Sequence, residues 1–435
     1  MSREPTFDNA IAFAQDLIRI PSPSGKEKEV ADRVREELDA LGFEDVTVDR
    51  WGNVVGRIPG SGEAPSVMLN AHLDVVAEGD PDEWAFPPYG GVVEGGYLHG
   101  RGAMDIKGPL AVQAYAAAAL GAGGFADRSG SDDSAGDEGF PGTGDSKAFR
   151  GPPPGDVVVA FTVHEERGGL GLHRLLDSAE EKPGAVILGE ATQGDITIGH
   201  RGRAELEVVV HGVAGHASAP ERARNSLDLV GPVLQGIRDL AKNQNSDPVL
   251  GSGSVVATMI DVLPETRNVI PDRAVVVVDW RVLPGETPDD TRERLERAVE
   301  GAVARIVGGV PEGFSIEVRV NEEHQSCYTG ESETRALFAP GFLMDEDDPM
   351  VLAAARAAGR KGDPGTPARI RPWTFATDGG WSCGLLGIPT IGFAPGEEQH
   401  AHTNRERLSL EDARWALERY PEIIVAVQEA LKEGG

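Results

Sequence analysis

Cysteine is nearly absent from this chain: 435 residues hold only Cys327 and Cys383. Neither a disulfide framework nor a thiolate metal site is implied. Lysine is also scarce, at 8 of the 41 basic residues, and 71 acidic residues outnumber both kinds of base. The formal net charge of −30 would repel nucleic acid and anionic membrane surfaces, so neither is an expected partner. Long apolar runs are missing too; stretches such as AVQAYAAAAL are too short to span a bilayer. The opening MSREPTFDNAIAFAQDLIRI lacks a basic start, an apolar core and a small-residue cleavage site, so a soluble cytoplasmic protein is expected. The acid is spread along the chain and not gathered in one tail, as suits a saline cytoplasm in which screening relieves self-repulsion. The melting temperature is therefore expected to rise with KCl from low to molar concentration. A maximum in dilute buffer would remove this halophilic reading.

At this length two domains are the ordinary expectation. Residues 7–20 and 24–41 read as helices. The second opens on Ser24-Gly25-Lys26-Glu27, a capping-box pattern, carries Val30, Val34, Leu38 and Leu41 on one stripe, and stops at Gly42. Strand-like runs follow at 46–58, 66–71 and 92–98, then an Ala-rich helix at 108–120. Residues 121–156 are rich in Gly, Ser, Asp and Pro with almost nothing to bury, which predicts a disordered surface insertion. A strand from 156, a helix at 170–179 and a strand at 185–189 resume the core pattern. From about 201 the order becomes βαββαβ, a ferredoxin-like sandwich complete in itself. Beyond 330 come a helix (348–360), a strand (370–376), a helix (379–386), a strand (389–393) and a terminal helix (409–432). The expected organisation is an α/β catalytic domain from residues 1–200 and 326–435, with an α+β domain of residues 201–325 inserted.

Short islands of acid and histidine stand where apolar runs end. They are His72-Leu73-Asp74, Asp105 in GRGAMDIKG, Glu165-Glu166 in HEERGG, Glu190 in LGEAT and His402 in AHTNRE. In an open α/β sheet, strand ends are where ligands and catalytic groups gather. Two histidines with several carboxylates suit a pair of Zn²⁺-like ions sharing a bridging carboxylate. Asp74 is placed to accept the second ring N–H of a metal-bound His72. Glu165 and Glu166 follow the buried-type run VVVAFTV and would repel each other without a cation. HEERG is not HExxH, so the helical zincin motif is excluded. His400 and His402 compete for one role.

Taken together, the order and setting of these islands resemble the M20 family of metallopeptidases and deacylases, the group of acetylornithine and succinyl-diaminopimelate deacylases, aminoacylase and glutamate carboxypeptidase. The likeness covers nearly the whole chain outside 121–156. The segments HRGRAELEVVVHGVAGHASAPERARNSL, AVVVVDWRVLPGET and CYTG…EDDPMV resemble its YgeY-type branch. The resemblance implies a mixed-sheet, zinc-peptidase-like catalytic domain with an inserted ferredoxin-like lid and dimerisation domain, acting as a homodimer. It implies two divalent ions, zinc first, with cobalt or manganese as alternatives. His72 would bind the first, Asp105 would bridge both, Glu190 would complete the first site, and Glu166 and His402 would complete the second. Glu165 would be the general base. His216 in GHASAP would reach across the dimer to the substrate carbonyl oxygen, while Asn268 in NVIP and Arg281 in DWR would hold a substrate carboxylate. One departure is local: His402-Thr403-Asn404-Arg405-Glu406 places Arg before the Glu where the family ends His-x-x-Asn-Glu. The implied activity is hydrolysis of an N-acyl amino acid or small peptide beside a free carboxylate. A dipeptidase, a carboxypeptidase or an N-carbamoyl amide hydrolase is the alternative within that chemistry. A metal-binding protein without turnover is the rival from another class, and the intact Glu165 argues against it.

Overall fold

The computed structural model describes residues 3–123 and 151–434. The strands of its two larger sheets are β1 (Glu44–Val48), β2 (Val54–Ile58), β3 (Val67–His72), β4 (Val157–Thr162), β5 (Ala185–Leu188), β6 (Ile196–Thr197), β7 (Gly202–His211), β8 (Ser254–Leu263), β9 (Arg273–Val282), β10 (Ser315–Val320), β11 (Phe338–Ala339), β12 (Ile370–Arg371) and β13 (Thr390–Gly392). The eight-stranded sheet has the order β1-β2-β4-β3-β5-β13-β6-β12 and is mixed. Within it β4, β3, β5 and β13 run parallel, so their C-terminal ends share one edge.

Every residue of β3 is buried, as its continuous apolar run requires of a central parallel strand. Helix α1 (Phe7–Ile18) buries Ala10, Phe13, Ala14 and Leu17, and α2 (Lys28–Leu41) buries Val30, Val34 and Leu38 on one stripe. The Ala-rich α3 (Lys107–Gly121) is buried from Lys107 to Leu120. It lies between β3, α1 and the terminal helix α8 (Leu410–Gly434). Small side chains all round allow that close approach; a one-sided helix would leave a polar face buried. Helix α4 (Leu170–Ser178) follows the turn after β4.

The second sheet runs β8-β9-β7-β10, all antiparallel, with β11 added at one end of β7. This is the ferredoxin-like order. Ala204, Leu206, Val208 and Val210 of β7 alternate inward beside Ala274, Val276, Val278 and Trp280 of β9. They form a separate core with α5 (Val230–Ala241) and α6 (Pro288–Val307). Helix α6 shows a capping box: Asp290 N donates to the Thr287 hydroxyl, and Thr287 N donates to Asp290, with Pro288 entering the first turn. Helix α7 (Pro349–Ala358) then packs on α8.

Several expectations are corrected. The predicted capping box at Ser24–Glu27 does not cap α2; the Ser24 hydroxyl donates to Asp74 Oδ2 at 2.6 Å, a tertiary partner that outcompetes the local one. The predicted strand 370–376 stops at Arg371, because Pro372 brings no N–H to the ladder. The predicted helix at 379–386 is a short π-type turn, Gly380–Leu385. Residues 124–150, the bulk of the predicted insertion, lie outside the described residues. Its C-terminal flank is built into the fold: Ser61 and Glu63 donate backbone N–H groups to Pro153 and Pro154, and buried Gln428 donates to the Gly155 carbonyl at 2.8 Å. A Cβ on Gly155 would sit 2.3 Å from the Pro65 carbonyl oxygen, so glycine there serves close approach. An antiparallel hairpin, Glu322–Ser326 with Ser332–Ala336, was invisible as a strand pair because its sequence is too polar to alternate.

Candidate metal centre

The edge shared by the four parallel strands carries the donors. His72 ends β3 and is 1% exposed. Its Nδ1 lies 2.8 Å from the backbone carbonyl of Asp74, which holds the ring proton there and leaves the Nε2 lone pair for a cation. Nε2 is 3.2 Å from Asp105 Oδ1 and 3.5 Å from Glu190 Oε1. On the other side, His402 Nε2 is 3.1 Å from both Asp105 Oδ2 and Glu166 Oε2. Asp105 thus belongs to two groups of three potential donors, His72–Asp105–Glu190 and Asp105–Glu166–His402. Glu165 belongs to neither and stands 4.0 Å from His72 Nε2.

Each donor is held by its backbone setting. Glu165 and Glu166 sit in a tight turn after β4, with φ of 56° at His164 and 96° at Gly168. The Asp74 carboxylate accepts the N–H of Glu165 at 3.1 Å and that of Glu166 at 3.2 Å. This differs from the expected role of Asp74. Its carboxylate is 3.7 Å from His72 Nδ1 and clamps the glutamate turn, while its carbonyl takes the ring proton. Asp105 is fixed by Glu406, whose Oε1 accepts the N–H groups of Met104 and Asp105, both at 3.1 Å. Arg101 neutralises Glu406 in the buried interior. His402 lies on a loop beyond the Glu398–His400 turn, and His400 faces Glu397 at 3.8 Å. Of the two competing histidines, His402 reaches the cluster.

The electrostatics describe a site short of positive charge. Burial, then repulsion from Asp105, pushes Glu190 up to about 8, and burial with Glu190 raises Glu165 well above the carboxylate range. Hydrogen bonds to Asp105 and Glu166 raise His402 to about 10. Burial opposes protonation of His72, but Asp105, Glu165 and Glu190 outweigh it and hold the imidazole well above its ordinary value. Nitrogen and oxygen donors in two groups around one shared carboxylate fit a pair of divalent ions, which would relieve this crowding of carboxylates.

Three proposed site residues lie elsewhere. His216 is exposed, in a short strand paired with Val269, and Asn268 is exposed beside it, its carbonyl accepting from Ala217 at 3.1 Å. The backbone N–H of Ser218 donates to His216 Nδ1 at 3.2 Å, so the ring proton resides on Nε2 and points outward as a donor. Arg281 sits in a different sheet, near the C-terminal end of β9, where its Nε donates to Asp279 at 2.9 Å. Asp378 escaped the sequence reading altogether. It is 3% exposed, accepts from Thr162, has one oxygen without a partner, and lies in an ATDGG turn. Glu406 and Arg101 were overlooked as supports, although each shares an island with a donor.

Fold and site define a metal-dependent hydrolase acting on amide or peptide bonds. Residues 68–129 match the model of peptidase family M20/M25/M40, and residues 198–306 match a peptidase dimerisation domain. The uncharacterized protein YgeY of Escherichia coli (strain K12) is 30% identical over 91% of this chain and 88% of its own length. Succinyl-diaminopimelate desuccinylase of Paracoccus denitrificans is 33% identical over 76% of this chain and 78% of its own. The crystal structure of Bacillus subtilis YXEP, a dinuclear metal binding peptidase from the M20 family, superposes with a TM-score of 0.65 at 17% identity, covering 98% of this chain and 99% of that one. The chain belongs to peptidase family M20. Among the described residues no helix is long and apolar enough to cross a membrane.

Proposed function

We propose that this protein is a cytoplasmic, homodimeric two-metal amidohydrolase that cleaves an N-acyl amino acid or small peptide beside a free carboxylate. One observation carries the reading: Glu165 is a carboxylate left over beside two donor groups that are complete without it. His72, Asp105 and Glu190 would hold one ion, and Asp105, Glu166 and His402 the other. Bound ions, zinc foremost with cobalt or manganese as alternatives, would supply Lewis-acid activation of water and of the scissile carbonyl. Glu165 takes a proton from the attacking water and returns it to the departing amine nitrogen as the C–N bond breaks, yielding a carboxylate and an amine.

Strand geometry supports a division of the remaining roles between subunits. Arg273, which begins β9 just after Asn268, and Arg281 are eight residues apart, about 27 Å at the rise of an antiparallel strand. Arg281 therefore cannot share one small substrate with the His216 and Asn268 of its own chain. Arg281 lies at the end where β7 joins the larger domain, so it serves its own site, and His216 and Asn268 serve the neighbour's. A guanidinium fork suits a carboxylate, with Asp279 holding it from behind. The desuccinylase among the relatives favours an acylated amino acid as the first substrate to try. Turnover is expected on some member of a panel of N-acetyl-, N-succinyl- and N-carbamoyl-amino acids and dipeptides with Zn²⁺, Co²⁺ or Mn²⁺ added, and chelation should abolish it. Activity that survives complete metal removal would end the two-metal reading; preferred cleavage of dipeptides would make the protein a peptidase.

A further inference from the structure

His402 is the most exposed of the grouped donors, its side chain 54% accessible, so packing alone does not hold its ring over Asp105 and Glu166. The loop that bears it is tethered instead by Arg371, the outermost strand residue of the large sheet. Arg371 Nη1 donates to Glu398 Oε1 at 2.6 Å, at the start of the turn leading to His402. Its Nε donates to Asp195 at 2.9 Å and its Nη2 to the Thr192 carbonyl at 3.1 Å, both in the segment that follows Glu190. Trp373 fixes that segment from the same short stretch, its indole N–H donating to the Ala191 carbonyl at 3.0 Å. One planar cation thus ties the segment carrying a donor of the first group to the loop carrying a donor of the second. A guanidinium is suited to this, because its rigid fork meets three acceptors in fixed directions.

We propose that Arg371 is a positioning residue that sets the reach of His402 and so the affinity of the Asp105–Glu166–His402 site, leaving the His72–Asp105–Glu190 site largely untouched. The inference rests on the two-metal reading above. Residues that orient metal ligands typically control affinity by about 10–100-fold.

The test is calorimetric titration of the metal-free full chain with Zn²⁺. Wild type should bind two ions. Arg371→Ala should bind the first as wild type does and the second about 10–100-fold more weakly, with the metal-free protein still folded by circular dichroism. It should thereby approach His402→Ala, and the Arg371→Ala/His402→Ala double variant should lose no more than His402→Ala alone, since both act on one ligand. Arg371→Lys, a point charge on a flexible stem, should recover part of the loss, and Glu398→Gln should reproduce part of it. Two ions bound by Arg371→Ala with wild-type affinities would overturn the proposal while leaving the two-metal reading intact. Equal weakening of both sites, or an additive double variant, would overturn it as well, marking Arg371 as a general structural support. Failure of the wild-type chain to bind a second ion would instead overturn the reading on which the proposal stands.

Discussion

Glu165→Gln is expected to keep both metal ions and lose nearly all turnover. The substitution keeps the size of the side chain and removes only its capacity to carry a proton. Glu165 lies outside both donor groups, so ligation should be unaffected. Its backbone N–H, held by the Asp74 carboxylate at 3.1 Å, keeps the turn in place whatever the side chain is. General acid–base groups contribute about 10²–10⁴-fold, and more where one group serves both proton transfers. Metal content by mass spectrometry beside kcat on the best substrate makes the comparison. An ion lost with activity retained would mean that Glu165 and Glu166 exchange roles.

The second large effect is expected from a residue far from the cluster. His216→Ala should leave fold, metal content and dimerisation intact and lower kcat by about 10²–10³, the usual cost of removing one donor to a developing oxyanion. With Nδ1 occupied by Ser218, the ring offers Nε2–H, the tautomer such a role needs. Its exposure within its own chain is consistent with service to a neighbour. Mixing Glu165→Ala with His216→Ala under subunit exchange makes the arrangement decisive. In a mixed dimer one site pairs an intact Glu165 with an intact partner histidine, so random exchange should restore about a quarter of wild-type activity. No recovery despite demonstrated exchange would place His216 in its own subunit's chemistry or outside catalysis.

Much of the large sheet was legible because central parallel strands must be apolar throughout. VMLNA, VVVAFTV and AVILG announce themselves, and the polar residues directly after them mark the edge where their ends meet. The inserted sheet was legible for a different reason: the first part of β7 alternates apolar with charged residues, and β9 carries a continuous β-branched run. The polar hairpin at 322–336 and the short β6 left no such trace, because two to five residues satisfy no periodicity.

For the site, the sequence by itself determined the donor types and the places where they occur. A nearly thiol-free chain with histidines and paired carboxylates at strand ends leaves nitrogen and oxygen ligands as the only chemistry available. What only the tertiary structure decided is which of these groups meet. Glu166 and His402 are 236 residues apart and come within 3.1 Å, and no local pattern distinguishes His402 from His400 two positions earlier. The same holds for Asp74, Glu406 and Arg371. Their partners lie tens to hundreds of residues away, and a carboxylate or guanidinium in a loop looks alike in sequence whether it faces water or holds a ligand. Local propensity is written in neighbouring residues, whereas the convergence of charged groups depends on the order in which strands are laid side by side, and that is set by burial of the whole core.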